Sequence, residues 1–194
     1  MTDDCDLVAR ARRGDRRASE SLFERYGSLA YTIAWRLLGD AAEAEDVAQE
    51  ALFRAHLRLR ELREDGQFGP WLRRIAANLG VSRLRRRGRL RFESLDDPAP
   101  AADGRERVRD FVDERGGTAE DRALELLDLE DIQTLLARLP LEQRVAVVLR
   151  DLYDYEMTEV AALVRCGLSA AKMRVSRGRA TLRELLETRK DEGR

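Results

Sequence analysis

Six arginines fall within ten residues, Arg83, Arg85, Arg86, Arg87, Arg89 and Arg91, in the string SRLRRRGRLR. Guanidinium groups grip phosphate oxygens two at a time, and a cluster of them binds a polyanion by displacing its counterions. An ordinary helix end is stabilised by one or two cations in its last turn, not by six. A second basic set, Lys172, Arg174, Arg177, Arg179 and Arg183, recurs near the other end of the chain. Phe68 and Trp71 stand just ahead of the first cluster. Aromatic rings beside cations can stack on unpaired bases. The spacing of Trp71 fits a helix core equally well, and both readings stay open. Trp35 reads as core or as a residue of domain packing. A third set has the opposite sign: Glu43, Glu45, Asp46, Gln49 and Glu50 make an acidic face opposite Val47 and Leu52. Taken alone, such a face is usually only solvated.

Chemistry of other kinds is missing. The chain has one histidine, His56, set among Arg54, Arg58 and Arg60, and two cysteines, Cys5 and Cys166. Neither a CxxC, a Ser/His/Asp set, a Walker loop nor a GxGxxG occurs. The expectation is a protein that catalyses nothing and needs no metal or cofactor. Cys5 reads as a surface thiol, Cys166 as a small buried residue, and His56 as a surface or DNA-proximal group. The 194 residues are 43% hydrophobic and 38% charged, enough for a core under a solvated surface. No apolar run approaches a membrane span, and the opening MTDDCDLVARARRGD has no apolar stretch of a secretory signal. A soluble cytoplasmic protein without membrane contact is expected. A net charge of −1 hides a polarity. Residues 1–92 carry +5, residues 93–131 carry −9 and residues 132–194 carry +3.

The elements that must position these groups are helical. Leu22, Phe23, Tyr26, Leu29, Ala30, Ile33, Ala34 and Leu37 recur at three- and four-residue intervals, and Gly39 can close that helix. Asp40 with Glu43 has the form of a capping box. It opens a second helix carrying Val47, Ala48, Ala51, Leu52, Ala55 and Leu59. Pro70 suits the first turn of a third helix, with Trp71, Leu72, Ile75, Ala76 and Leu79 on one stripe. That helix runs into the arginines. Between Glu93 and Gly117 the periodicity fades, and ESLDDPAPAADG reads as linker. A helix resumes at about Thr118 and runs to Pro140. Three short helices follow: one with Val145, Val148, Leu149 and Leu152, one capped by Thr158, and one capped by Ser169 and reaching about Thr188. The last two make a helix-turn-helix pattern, whose second helix would enter a major groove. No segment alternates with period two. The expected fold class is all-α, with two small helical domains, 1–92 and 131–194, joined by an acidic linker over 93–130.

These strings resemble sigma factors of the extracytoplasmic-function (ECF) group. LFERYGSLAYTIAWRLLGDAAEAEDVAQEALFRAHLRL and FGPWLRRIAANLGVSRLRRRGR resemble the family's sigma-2 domain. LARLPLEQRVAVVLRDLYDYEMTEVAALVRCGLSAAKMRVSRGRATLRELL resembles its sigma-4 helix-turn-helix domain. The likeness covers about 20–92 and 131–188, in the family's order. It implies a transcription initiation factor that binds core RNA polymerase, directs it to promoter DNA and is held in check by an anti-sigma factor, with the free chain a monomer. Asp46, Val47, Gln49, Glu50 and Phe53 would dock on the polymerase. Phe68, Trp71, Arg74, Asn78, Arg83, Arg85, Arg86 and Arg87 would melt and read the minus-ten element, where a base is flipped from the non-template strand. Ser169, Ala170, Lys172, Met173, Arg174, Arg177 and Arg179 would hold the minus-thirty-five element. The acidic connector would mimic RNA inside the polymerase, fold back on Arg83–Arg91, or serve only as a solvated spacer.

Ser82 stands where the family usually has Asp. Arg165 occupies the usual turn glycine, with Gly167 two residues on. Ala170 and Ala171 replace larger residues at the start of the recognition helix. Two rival readings remain: a stand-alone helix-turn-helix repressor, and a degenerate homologue that acts only as a protein-interaction module.

Overall fold

The computed structural model describes residues 3–88, 90 and 129–192. The chain divides into two compact units, Met1–Arg89 and Leu90–Arg194. The acidic connector, the helix start expected near Thr118, Arg89 and Arg91 lie outside the described residues. Among the described residues there are helices and turns and no strand, as the missing alternation requires. No described helix is long and apolar enough to cross a membrane.

The first unit is built from α1 (Asp4–Arg12), α2 (Arg16–Leu38), α3 (Ala41–Leu57) and α4 (Phe68–Arg86). The Asp15 carboxylate starts α2 by accepting from the N–H groups of Arg17 and Ala18 at 3.0 and 3.2 Å. Gly39 ends it in the left-handed region at φ 71°, its N–H bonded to the Trp35 carbonyl at 2.8 Å. Asp40 then starts α3, accepting from the Glu43 N–H at 2.9 Å. Gly39 and Asp40 therefore stand where the pattern put them, but the expected box is only half made: Asp40 caps α3, while the buried Glu43 side chain pairs with Arg87. The core between these helices holds Leu22, Ile33, Leu37, Val47, Phe68 and Leu72, each at most 2% exposed.

Two details differ from the expectation. α3 ends at Leu57, and Leu59 belongs to a separate 3-10 turn, Leu59–Glu61. The segment Asp4–Arg12, read only as a charged leader, is a helix that buries Leu7, Val8 and Ala11. Its far end carries Arg12, whose guanidinium donates to the Leu59 carbonyl at 3.1 Å and to that of Leu62, and pairs with Asp65 at 2.5 Å. One side chain thus satisfies three acceptors of the α3–α4 connection. At the other end Asp4 accepts from the Tyr26 hydroxyl and pairs with Arg25. Burial, reinforced by that bond, pushes the Tyr26 pKa up to about 12.

The second unit contains α5 (Leu129–Ala137), α6 (Leu141–Val147), α7 (Met157–Val164) and α8 (Leu168–Glu192). α6 continues into a π-helical turn, Val148–Leu152. Neither hydroxyl expected as a cap holds that place. α7 begins at Met157, and the Glu156 N–H donates to the Glu159 carboxylate at 2.9 Å, which puts Thr158 inside the first turn. α8 begins at Leu168, so Ser169 is already helical; Ala171 N–H bonds back to the Gly167 carbonyl at 3.0 Å. Between α7 and α8, Arg165 adopts φ 51°, ψ 56°, and Cys166 N–H reaches the Ala161 carbonyl at 2.9 Å. The turn keeps its left-handed geometry with Arg in place of glycine, at a cost of about 1 kcal/mol. Where α8 crosses α6, a β-carbon built on Gly178 would lie 2.6 Å from Val147 Cγ2. Only a glycine admits that approach.

Candidate nucleic-acid interface

The arginine-rich end of α4 sorts onto different faces. At 100° per residue, Arg74, Asn78, Ser82 and Arg85 fall within a stripe roughly 80° wide, while Arg83 and Arg87 project from the other side. Along the stripe the Ser82 hydroxyl accepts from Arg85 Nη2 at 3.1 Å. A neutral oxygen thus steadies Arg85 where the family pattern has a carboxylate. On the other side Arg83 stands 3.6 Å from Asp46, and Arg87 pairs with Glu43 of α3. Glu43 is buried, its side chain 8% exposed. Arg86 and Arg87 are exposed, Arg83 and Arg85 half-buried. Arg87 is therefore engaged in the fold through a buried carboxylate.

The aromatic part of the expected site needs correction. Phe68 is 1% exposed and Trp71 6%. Their rings pack together at 6.1 Å between centroids, and Phe68 meets Tyr26 edge-on at 5.0 Å. Neither ring offers an open face to a base. They belong to the core that fixes the start of α4, the bland alternative for Trp71.

The α3 face separates in the same way. Asp46 and Gln49 are exposed, and Glu50 is half-buried against Arg54 at 2.6 Å. Phe53 and Leu57, one turn apart, are 59% and 65% exposed. Val47, expected at a docking surface, is 1% exposed and packs inward. Its place on the apolar stripe already pointed there. The outward face reads Asp46, Gln49, Glu50, Phe53 and Leu57: acidic at one end, apolar at the other. His56 lies beside it, edge-on to Phe23 at 5.9 Å.

In the second unit, Ala171, Val175, Gly178 and Leu182 turn α8 toward the core. The opposite side exposes Ser169, Lys172, Met173 and Arg177, with Ala170 and Arg174 half-buried at the edges. Arg179 is exposed, but its guanidinium makes a two-point pair with Asp151 of the π turn at 2.9 and 2.5 Å. It bolts α8 to the preceding helix. Arg189 does the same for α5, meeting Asp131 at 2.5 Å.

The chain thus has two helical units, one ending in arginines and the other a helix-turn-helix with a basic outer face. Residues 22–90 match Sigma-70 region 2, and residues 129–182 match Sigma-70 region 4. The chain is 31% identical over 183 residues to the ECF RNA polymerase sigma factor SigM of Mycobacterium tuberculosis, covering 94% of this chain and 84% of that one. The chain belongs to the ECF sigma factor family. It is also 29% identical over 179 residues to the ECF sigma factor SigW of Bacillus subtilis, spanning 92% of this sigma factor and 94% of the relative. Among solved structures, the sigma factor RpoE of Bartonella quintana, crystallised with the anti-sigma factor NepR, matches with a TM-score of 0.50 at 26% identity. That match covers 87% of this chain and 96% of RpoE.

The sequence reading of this sigma factor overlooked Leu57 and Arg12. Leu57 follows Phe53 by one turn, a spacing that was available. Arg12 contacts groups 47 to 53 residues away, and no local signal announces that.

Proposed function

We propose that this sigma factor initiates transcription by binding core RNA polymerase through α3 and promoter DNA through α4 and α8. Asp46, Gln49, Glu50 and Phe53 form the docking face, whose acidic end suits a basic partner surface. Arg74, Asn78 and Arg85, with Arg83 and Arg86, engage the minus-ten element. Ser169, Ala170, Lys172, Met173, Arg174 and Arg177 engage the minus-thirty-five element. The division of labour follows 1–92 and 131–194, with 93–130 as connector. The protein works in the cytoplasm by differential binding and without catalysis: polymerase-bound melted DNA is preferred over duplex. Unstacking a flipped base costs a few kcal/mol, offset by protein contacts to it. An anti-sigma factor controls it by covering these faces; the similar RpoE of Bartonella quintana is itself found in complex with the anti-sigma factor NepR.

The observation that carries the proposal is the outer face of α8. It presents small, basic and flexible side chains opposite a buried stripe, on the second helix of a helix-turn-helix. Run-off transcription with purified core polymerase tests it. Promoter-specific transcripts that require the chain are expected. Their absence, with tight binding of the free chain to a palindromic duplex, would instead establish the repressor reading.

A further inference from the structure

Large apolar side chains are exposed at four described positions, Phe53, Leu57, Leu168 and Met173. The first two lie on the α3 docking face. The other two open α8. Leu168 and Met173 are five residues apart, which places them roughly 140° from each other around the helix. The buried stripe of Ala171, Val175, Gly178 and Leu182 fixes the inward direction. Diametrically opposite it, in the second turn, stands Met173, 50% exposed. Leu168, 38% exposed, sits to one side. Around Met173 the neighbours are short: Ser169, Ala170 and Ser176. Lys172 and Arg177 flank it as charged rims.

This arrangement has a chemical consequence. Short neighbours let the helix backbone come close to a groove floor, so the long central side chain makes first contact. That side chain is a thioether. It has no hydrogen-bond donor, and its sulfur is a weak acceptor. It cannot tell the amino and carbonyl groups of base edges apart by hydrogen bonding. Its three rotatable bonds and polarisable sulfur suit contact with an apolar knob. The one apolar group on the major-groove edge of the four standard base pairs is the 5-methyl of thymine. Polar edges facing Met173 would lose water without compensation.

We propose that Met173 is a specificity-determining residue of this sigma factor that reads the 5-methyl group of a thymine in the upstream promoter element. Lys172 and Arg177 hold the flanking phosphates and set the register. The proposal rests on α8 being the minus-thirty-five reader. The arginines of α8 supply affinity, and the methionine supplies a preference they cannot.

Replacing thymidine by deoxyuridine removes only the methyl group and leaves base pairing intact. Duplexes randomised across both promoter elements are selected with holoenzyme, made from the full chain and core polymerase. Each upstream thymidine is then replaced in turn by deoxyuridine, and binding is measured for wild type, Met173→Ala and Met173→Leu. At one position or more, deoxyuridine is expected to weaken wild-type binding about fourfold, the effect of one buried methyl. Met173→Ala should bind both forms alike, near the wild-type value for deoxyuridine, and Met173→Leu should recover most of the discrimination. Because Met173 is half-exposed, these variants keep the fold, which thermal unfolding checks. The proposal falls if no thymidine shows a methyl effect, or if the effect persists undiminished in Met173→Ala. If selection enriches no upstream sequence at all, the assignment of α8 as an upstream reader falls with it.

Discussion

Arg86 and Arg87 are adjacent, equally basic and both exposed, yet they should behave as opposites. The Arg87 guanidinium meets Glu43, whose side chain is 8% exposed at the start of α3. Removing one member of a fully buried pair costs about 3–5 kcal/mol, because a charge is left without a partner. Arg87 itself is 43% exposed, so water reaches that side of the pair and the cost is discounted to about 1–2 kcal/mol. In a domain of this size that lowers the melting temperature of the first unit by roughly 5–10 °C. Arg87→Ala should therefore melt early, and Glu43→Gln in the same chain should restore much of the loss. Its effect on the salt dependence of open-complex formation should be small. Arg86→Ala should do the reverse: stability unchanged within about 0.5 kcal/mol, and the log–log salt slope reduced by about 1 for one lost phosphate contact. The assay is thermal unfolding of the full chain beside promoter binding between low and moderate salt. If Arg87→Ala leaves melting unchanged and flattens the slope as Arg86→Ala does, the ion pair has no structural role and the argument fails.

Gly178→Ala gains about 1 kcal/mol of helix propensity but drives a β-carbon to 2.6 Å from the buried, β-branched Val147. A net loss of roughly 1–2 kcal/mol in thermal unfolding is expected, relieved when Val147→Ala is added. Asp46→Arg or Glu50→Arg should weaken pull-down by core polymerase with an unchanged circular-dichroism melt, since Asp46 is 68% exposed and its pair with Arg83 spans 3.6 Å; equal capture would mean that the acidic face is only solvated. The Arg10 guanidinium, followed by the Ala18 N–H, holds the Asp15 carboxyl below the usual carboxylate range. A lowered folded-state value means that its stabilising effect is present at neutral pH and lost as the medium is acidified through and below about pH 4. Asp15→Asn should therefore show a shallower acid-unfolding curve in that window, and a curve parallel to wild type would refute the cap's ionic character.

The helices that were legible are those whose signals are local and redundant. α2 has eight apolar positions in register and glycine at its end, which agree on its body and its close; its start at Arg16, six residues ahead of the apolar run, is set by the Asp15 cap that the periodicity does not mark. α1 has only three inward residues in nine, too few for periodicity to emerge from a charged leader. The π turn was illegible because no local pattern marks it; Asp151 within it meets a partner, Arg179, 28 residues away. Within the site, spacing already put Val47 and Trp71 on inward stripes. The family resemblance drew Val47 to the surface, and the neighbouring arginines suggested a stacking role for Phe68 and Trp71; the burial of all three shows that the stripe was the better guide. Ser169 and Thr158 are good capping residues at plausible places, but a hydroxyl one or two positions inside a helix looks the same in sequence as one at its edge. The arginines of α4 could not be divided in advance, because what separates Arg87 from Arg86 is a carboxylate 44 residues upstream.

The long last helix has a mechanical consequence. A helix of 25 residues is a rod about 37 Å long, and this one rests on α6 at Gly178 and is tethered near its far end by Arg189. Gly178 acts as the fulcrum. Met173 lies five residues to one side, about 8 Å, and Arg189 eleven residues to the other, about 17 Å. The reading turns ride the short arm. Wobble at the tethered end reaches them scaled down about twofold, whereas any change of height at the fulcrum is passed on in full. Substitutions at the distal tip should blur promoter choice little, and a single methyl group at the pivot would re-aim the whole rod.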